Sequence, residues 1–333
     1  MSSNKSGVLN TQEKERIRIP LPSIRDDETG YDYLSKLVSF VMSKPESLYI
    51  FDFSRCSTIT HNGLVVLGGI CNYLKRYEAG VTLTRGFGFG SFFTPIKVSF
   101  DISGMNSILK ERLQVLGFWN YVFPDHGVAR NENYIGYREH ETVLEDSEII
   151  AHLQDGWLTD EKVSLSEALK GEIISSIYEV FVNAYGHGLK DNPNHQSVIS
   201  CGYYEPKEKS LSLSVLDLGG GIVNSVQSYT SISSKEAALK WALEVGNSTR
   251  TDSPPDVPRG LGFGILKDFI MVNGGVLRIC TDSYMATIDS SGRYITEKVS
   301  GCIGGTLVSI TVRCDDKHYR LVSEDKVPTG KYF

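Results

Sequence analysis

An acidic residue and three glycines stand together at the end of an apolar run, in the stretch VLDLGGGIV of residues 215–223. The carboxylate of Asp217, at a strand end, can accept a hydrogen bond from the exocyclic amine of adenine. Gly219 and Gly221 allow a flat base to approach the backbone closely. Three kinds of adenine-bearing ligand use such a site: S-adenosylmethionine, a dinucleotide and ATP. The stretch alone leaves all three open.

The stretch EVFVNAYGHG of residues 179–188 carries polar residues at helical spacing. Glu179, Asn183 and His187 recur every four residues, so they form a stripe beside the apolar face of a predicted helix. A carboxylate and a carboxamide one turn apart suit a hard cation that prefers oxygen ligands, such as Mg²⁺ on phosphates. A solvated polar face is the alternative for the stripe, since polar pairs at this spacing are common. For His187, a plain helix-end histidine is the alternative to contact with phosphates.

Glycines also open a later helix, in the stretch PRGLGFGI of residues 258–265. Gly260, Gly262 and Gly264 lie where its free N–H groups would point, and such groups form a phosphate site. Further on, GGTLVSI supplies Thr306, a hydroxyl on a predicted strand that would complete an adenine pocket. The four stretches together provide groups for a base, for phosphates and for a metal ion.

The elements that position these groups follow from periodicity and turn signals. Ser164 or Ser166 would cap the helix that carries Glu179, and the Ser164/Glu167 spacing fits a capping box. Helices followed by hairpin-linked strands predict an α+β layer in the second half. In the first half, strands alternate with helices, which predicts an α/β sandwich. Its predicted strands are residues 16–22, 47–56 and 80–87, and its predicted helices are residues 31–44, 61–78 and 106–122.

The bulk composition excludes several classes of protein. The 333 residues carry a formal net charge of −6, and no stripe of Lys and Arg offers nucleic acid a basic surface. No apolar run reaches bilayer-spanning length, and the polar start MSSNKSGVLNTQEKER lacks the apolar segment of a secretory signal. The six cysteines are far apart without zinc spacing, which indicates reduced thiols. We therefore expect a cytoplasmic protein that binds neither nucleic acid directly nor a membrane.

The ordered set Glu-x3-Asn-Ala-x2-His-Gly, Asp-x-Gly-x-Gly, Gly-x-Gly-x-Gly and Gly-Thr resembles the GHKL ATPase superfamily, which includes gyrase, Hsp90, histidine kinases and MutL. The motif sequences are most similar to those of its anti-sigma-factor serine kinase branch, and the resemblance covers about residues 160–314. It implies ATP and Mg²⁺ as cofactors, with Asn183 as the Mg²⁺ ligand, Glu179 as the general base and Asp217 reading adenine. It also implies a mobile lid over residues 222–259, and from their position Arg259 or Arg250 would reach the γ-phosphate.

Two other ligand classes fit the sequence less well. The stretch VLDLGGGI also resembles the first motif of class I methyltransferases, but a full alternating sheet would have to follow it. The residues after Asp217 hold instead a loop, one good helix and hairpin-like strands. A Rossmann site needs Gly-x-Gly-x-x-Gly between strand and helix, whereas GLGFG at 260–264 has another spacing and follows prolines. ATP is therefore the expected ligand.

The first half, about residues 16–125, resembles STAS domains, the anti-sigma-factor antagonist fold. In that fold a Ser or Thr before Gly-Leu accepts a phosphoryl group, but here Asn62 stands before Gly63-Leu64. An amide can cap a helix and cannot take a phosphoryl group. The resemblance thus implies a docking or regulatory domain without phosphorylation in cis. The loop of residues 86–93, rich in glycine and phenylalanine, is interpreted as structural, with a partner-binding patch as the alternative.

These interpretations combine into a predicted architecture of two α/β domains. A STAS-like α/β sandwich would cover residues 16–127, a connection 128–160, and a GHKL α+β sandwich, with a mixed sheet covered by helices, 161–315; a tail would follow at 316–333. The predicted function is Mg-ATP-dependent phosphoryl transfer to, or control of, a protein partner resembling a sigma factor or a STAS regulator. A nucleotide-gated switch with negligible turnover is the alternative, and a homodimer is expected by analogy.

Overall fold

Two sheets, one parallel and one antiparallel, organise this mixed α/β chain. The structure is a computed structural model, and it describes residues 14–84, 97–119, 135–140, 146–185, 198–244, 246–247 and 262–325. The predicted aromatic loop at residues 86–93 lies outside the described residues, as do residues 326–333 of the predicted tail.

The first half contains a three-stranded parallel sheet flanked by helices, as its alternating pattern predicts. The prediction of a strand at residues 80–87 is wrong for residues 80–84, which belong to the helix that begins at His61. Residues 85–87 lie outside the described residues. β-Branched residues prefer strands only weakly, and an existing helix gains one hydrogen bond per added residue. The elements are β1 (Arg16–Pro20), α1 (Glu28–Ser43), β2 (Leu48–Asp52), α2 (His61–Thr84), β3 (Val98–Asp101) and α3 (Ser107–Val115), with strand order β1-β2-β3.

The second sheet has five strands in the order β4-β5-β6-β8-β7. Every described pair in it is antiparallel, so the prediction of a mixed sheet is wrong for this half. The connection predicted at 128–160 contributes the edge strand β4, the short helix α4 (Asp146–Ala151) and a π-helical segment (His152–Trp157). The strands are β4 (Arg138–His140), β5 (Val198–Glu205), β6 (Ser210–Asp217), β7 (Val276–Asp289) and β8 (Tyr294–Arg313).

Helices of the second half cover one face of this sheet. The longest of them is capped by Ser166, whose hydroxyl accepts the N–H of Leu169 at 3.2 Å. Ser164 does not form the predicted capping box, because its hydroxyl lies 2.9 Å from Nδ1 of His318. The helices are α5 (Glu167–Asn183), α6 (Gly221–Tyr229), α7 (Lys235–Ala242) and α8 (Gly262–Asn273), and α8 ends at Gly274 with φ of +77°.

The other face of the five-stranded sheet is covered by the first half of the chain. Along β6, Leu211, Leu213 and Val215 belong to the core shared with the second-half helices, whereas Leu216 and Leu218 belong to the core shared with α1 and α2. This alternation is the period-2 pattern of a strand. The central strands of the sheet are therefore buried on both faces.

Helix α1 is attached to β8 by hydrogen bonds from the main chain of β8 to side chains of α1, as well as by apolar contact. Side chains at helical spacing on one face of α1 accept the N–H groups of successive residues of β8. The backbones come so close at Gly301 that an added Cβ would overlap with the main chain of Ser35. The donor–acceptor pairs are Ser300 N to Asp32 Oδ1 at 2.7 Å, Gly301 N to Ser35 Oγ at 3.1 Å and Cys302 N to Ser39 Oγ at 2.7 Å.

A partly buried polar network also joins the two halves. Arg278 of β7 donates to Asp26 at 2.9 Å, and the hydroxyl of Tyr31 donates to the same carboxylate at 2.8 Å. Nδ1 of His61, the first residue of α2, lies 2.6 Å from the hydroxyl of Ser214 on β6. Because buried polar groups are costly unless paired, this network favours one arrangement of the halves.

Acid is expected to destabilise the protein through His61. Burial lowers the pKa of this imidazole to about 4, against the partial compensation of nearby Asp26; Arg112 and Arg278 also lower it. The unfolded chain therefore binds a proton at His61 that the folded chain rejects. The resulting stability is complete above pH 6.5 and is lost as the pH falls towards 4, by up to about 3 kcal/mol.

Thermal unfolding of the wild type and of His61→Gln between pH 7.5 and 5 checks this prediction. The glutamine variant keeps a polar group beside Ser214 but cannot titrate, so its melting temperature should fall less steeply with acid. In both proteins His140, whose pKa is also lowered by burial, adds to the acid sensitivity, and Asp217, whose pKa is raised by burial, opposes it. Parallel pH profiles for the two proteins would contradict the assignment to His61.

The described residues contain no helix long and apolar enough to cross a bilayer. All six cysteines are free thiols; Cys302 is partly exposed and the others are buried.

Candidate functional site

The carboxyl of Asp217 is buried at the end of β6, opposite Thr306 of β8. Each of the two residues is 5% exposed. Asp217 accepts the N–H of Gly219 at 3.0 Å and is also hydrogen bonded by Thr306. Burial raises the pKa of Asp217 to about 7, although these hydrogen bonds oppose the shift. A further hydrogen-bond donor from a ligand would stabilise the ionised form of this buried carboxyl.

The glycine turn after Asp217 folds directly onto β8. Gly221 has φ of +72°, and a Cβ at this position would lie 2.8 Å from the carbonyl oxygen of Gly305 and 2.9 Å from Oγ1 of Thr281. The next residue, Ile222, donates its N–H to Oγ1 of Thr306 at 3.1 Å. The turn therefore needs glycine for both its backbone angle and its close approach.

Four predicted site residues, Asp217, Gly219, Gly221 and Thr306, thus lie together. Gly305 and Thr281, which the sequence analysis did not single out, lie beside them, and we call these six residues the Asp217 group. Gly305 directly precedes Thr306 and is the glycine of the Gly-Thr motif, so the sequence could have identified it. No local sequence pattern identifies Thr281, because its position in the site depends on the pairing between β7 and β8.

Helix α5 presents its predicted apolar face to the core. Ile173, Ile177, Val180, Phe181 and Ala184 are all buried, which confirms the predicted face. The polar stripe lies at the edge of this face: Glu179 and Asn183 are half-buried, whereas Glu172 and Ser175 on the same helix are exposed. This position differs from a fully solvated polar face. His187 lies outside the described residues.

Helix α8 begins at Gly262, includes Gly264 and packs against α5. Both helices belong to the layer that covers the face of the sheet towards which Asp217 points, as the alternation along β6 shows. The half-buried oxygens of Glu179 and Asn183 and the glycine-rich helix start therefore share one layer with the Asp217 group. Gly260, Arg259 and Arg250, predicted to contact phosphates, lie outside the described residues.

The segment predicted to form a lid, residues 222–259, is helical in its first part. Helix α7 is attached to the β7–β8 hairpin, because Lys235 donates to both oxygens of Asp282 at 2.9 and 2.8 Å. Thr296 of β8 also donates to Glu236 at 2.8 Å. In the described conformation this part of the segment is fixed to the sheet. Residue 245 and residues 248–259 lie outside the described residues.

In the first half, Asn62 is fully buried at the start of α2. Its Oδ1 accepts the N–H of Gly63 at 2.8 Å and the hydroxyl of Thr60 at 2.5 Å, and its Nδ2 donates to the carbonyl of Arg25 at 3.1 Å. The side chain organises the turn into α2. This position is therefore inaccessible to a kinase as well as chemically unable to accept a phosphoryl group.

The antiparallel pairing around β6 bears on the choice among ligands. Both neighbours of β6 run antiparallel to it, so the strand is not the first of the alternating sheet that a class I methyltransferase requires. Among the described residues, no group of three or more His, Cys, Asp and Glu side chains is placed to hold a metal ion. A cation bound by one asparagine and by phosphate oxygens needs no such group.

The chain matches no protein-family model, and no curated protein is significantly similar to it.

Proposed function

We propose that this chain is a cytoplasmic Mg-ATP-binding regulatory protein of the anti-sigma-factor kinase type, with a GHKL-like second half and a STAS-like first half. Its activity is phosphoryl transfer to a Ser or Thr of a protein partner. The observation that supports this proposal most is the buried carboxyl of Asp217, held opposite Thr306 and beside a glycine turn that has no room for a side chain at Gly221. By analogy, the partner resembles a sigma factor or a STAS regulator, and the protein forms a homodimer.

The Asp217 group suits adenine in particular. The carboxylate accepts a hydrogen bond from the exocyclic amine of adenine, while guanine presents a carbonyl oxygen at the equivalent position and would be repelled. Hydrogen bonds from Gly219 and Thr306 orient the acceptor before the ligand arrives. Preorganised polar groups of this kind discriminate strongly, because the wrong ligand leaves them unpaired.

The half-buried oxygens of α5 suit a phosphate-bound cation. Asn183 would hold Mg²⁺, which would neutralise phosphate charge, and N–H groups at the start of α8, near Gly262 and Gly264, would hold phosphate oxygens. Glu179, one turn before Asn183, would orient the attacking hydroxyl and take up its proton. Because Asn62 in the first half is a buried amide, the attacking hydroxyl comes from a partner.

Thermal unfolding with and without nucleotides tests the ligand directly. Mg-ATP at about 100 times its Kd should stabilise the protein by about 2.7 kcal/mol, because it binds the folded chain and not the unfolded one. Mg-GTP and S-adenosylmethionine should give no shift at the same concentration. Stabilisation by S-adenosylmethionine and none by Mg-ATP would overturn the proposal in favour of a methyltransferase.

A Glu179→Ala variant is expected to separate transfer from mere binding. The variant should bind Mg-ATP with little change in Kd but lose phosphoryl transfer to the partner by about 100-fold or more, since general-base groups contribute at least that much. Transfer is measured with radiolabelled ATP and a partner isolated by pull-down in the presence of Mg-ATP.

Glu172→Ala provides the matched control, because Glu172 is an exposed carboxylate on the same helix, seven residues earlier. It should leave binding and transfer unchanged. If Glu179→Ala keeps full regulation of the partner, the protein acts as a nucleotide-gated switch, in which ATP changes partner affinity without turnover.

A further inference from the structure

We propose that Thr281 is a positioning residue for the adenine nucleotide held at Asp217. The inference rests on the proposed function, and it adds a residue that lies on β7, outside the four stretches that point to that function. Thr281 would act through the backbone of Gly305 and would not touch the nucleotide itself.

Thr281 is fully buried, and its hydroxyl donates to the carbonyl oxygen of Gly305 at 2.9 Å. The same hydroxyl oxygen would lie 2.9 Å from a Cβ added at Gly221. Thr281 therefore contacts both backbone segments that flank the Asp217 carboxyl: the glycine turn after β6 and the stretch of β8 that leads into Thr306.

The strand register places this contact beside an irregularity of the sheet. Thr281 pairs with Thr306, but the next residue of β7, Asp282, pairs with Ile303. Gly304 and Gly305 therefore fall into a bulge, where the regular pairing of β7 with β8 is interrupted. The Thr281 hydroxyl adds a side-chain hydrogen bond to the carbonyl of Gly305 at this interruption.

Gly305 in turn lies against Asp217. A Cβ added at Gly305 would come within 2.6 Å of Oδ1 of Asp217 and would overlap with its carbonyl oxygen. A shift of Gly305 would therefore move the wall against which the Asp217 carboxyl packs. By this contact, the hydroxyl of Thr281 fixes the direction in which Asp217 presents its carboxyl.

Thr281→Val removes this hydroxyl with little change in volume and is the direct test. Without this hydrogen bond Gly305 and the Asp217 carboxyl leave their binding orientation in the free protein, so Kd for ATP should rise about tenfold, which corresponds to about 1.4 kcal/mol. Because Thr281 positions the base-binding end of the site, isothermal titration should show the same loss for ADP and AMP. Thr281→Ser keeps the hydroxyl and should restore Kd.

Thr311→Val provides the matched control. Thr311 lies on the same sheet, and its hydroxyl is 3.0 Å from that of Ser212. This variant should lose stability to a similar extent and keep the wild-type Kd. If Thr281→Val does not fold, Thr281→Ala also lacks the hydroxyl and replaces it in the test.

Wild-type Kd values for ATP, ADP and AMP in a folded Thr281→Val or Thr281→Ala variant would overturn the inference, because Thr281 would then be a structural residue only. In that case the proposed function would stand, since the wild type still binds ATP. Failure of the wild type to bind any adenine nucleotide would instead overturn the proposed function and this inference with it.

Discussion

Asp217→Asn is expected to abolish stabilisation by Mg-ATP and, at the same time, to stabilise the unliganded protein above neutral pH. An amide in this position presents its N–H₂ group, or a single weaker acceptor, to the adenine amine, so nucleotide affinity is lost. Burial raises the pKa of Asp217 to about 7 in the folded state, from an ordinary value of 3.8. The folded chain therefore holds a proton that the unfolded chain releases, and wild-type stability falls as the pH rises through this range.

Asparagine does not ionise and escapes this cost. At pH 8 the unliganded variant should exceed the wild type by up to about 4 kcal/mol, and at pH 4 the difference should vanish. Melting temperatures with and without Mg-ATP at the two pH values measure both effects. Asp289→Asn is the control, because Asp289 also ends a strand but its pKa is lowered by hydrogen bonds that it accepts from Ser291. An unchanged ATP shift in Asp217→Asn would remove Asp217 from the site.

Gly301→Ala is expected to destabilise the protein by about 3 kcal/mol, the upper end of the usual cost of overpacking. The new methyl group would overlap with the backbone of Ser35 on α1, and a helix backbone cannot move aside as a flexible side chain can. The hydrogen bonds from β8 to α1 would lengthen together. Urea unfolding at neutral pH, with the slope compared between the variant and the wild type, measures the loss of stability.

Gly304→Ala is the matched control for this prediction. Gly304 lies on the same strand, and a Cβ there would meet only the flexible end of Met42, at 3.2 Å from its sulfur. Its effect should stay below about 1 kcal/mol. Equal destabilisation by the two substitutions would contradict the prediction, because the close contact of Gly301 with α1 would then contribute no more to stability than the contact of Gly304 with Met42.

Local sequence patterns were sufficient to predict most helices and strands, including the three that carry Asp217, Glu179 and Gly262. The strand ending at Asp217, the helix carrying Glu179 and the helix starting near Gly262 follow from periodicity and glycine positions. Their apolar faces bury the residues that the periodicity selects, because helical spacing and strand alternation are properties of the local chain.

Features that depend on contacts between distant residues were not predictable. The edge strand β4 is too short to show an alternating pattern, and it forms by pairing with β5, about 60 residues later. The hairpin-linked strands of the sequence analysis account for the pairs β5–β6 and β7–β8, whereas the pairing of β6 with β8 joins segments about 90 residues apart and has no local signal. Thr281 illustrates the same limit, since a bulge sets which hydroxyl reaches Gly305.

The two faces of β6 and β8 carry polar pairs that differ by three positions: Asp217 opposite Thr306 on one side of the sheet, and Ser214 opposite Ser309 on the other. A shift of β6 by one residue would turn the Asp217 side chain into the apolar core shared with α1 and α2, and would turn Ser214 into the core shared with the second-half helices. The polar pairs on the two faces thus fix the same register between β6 and β8.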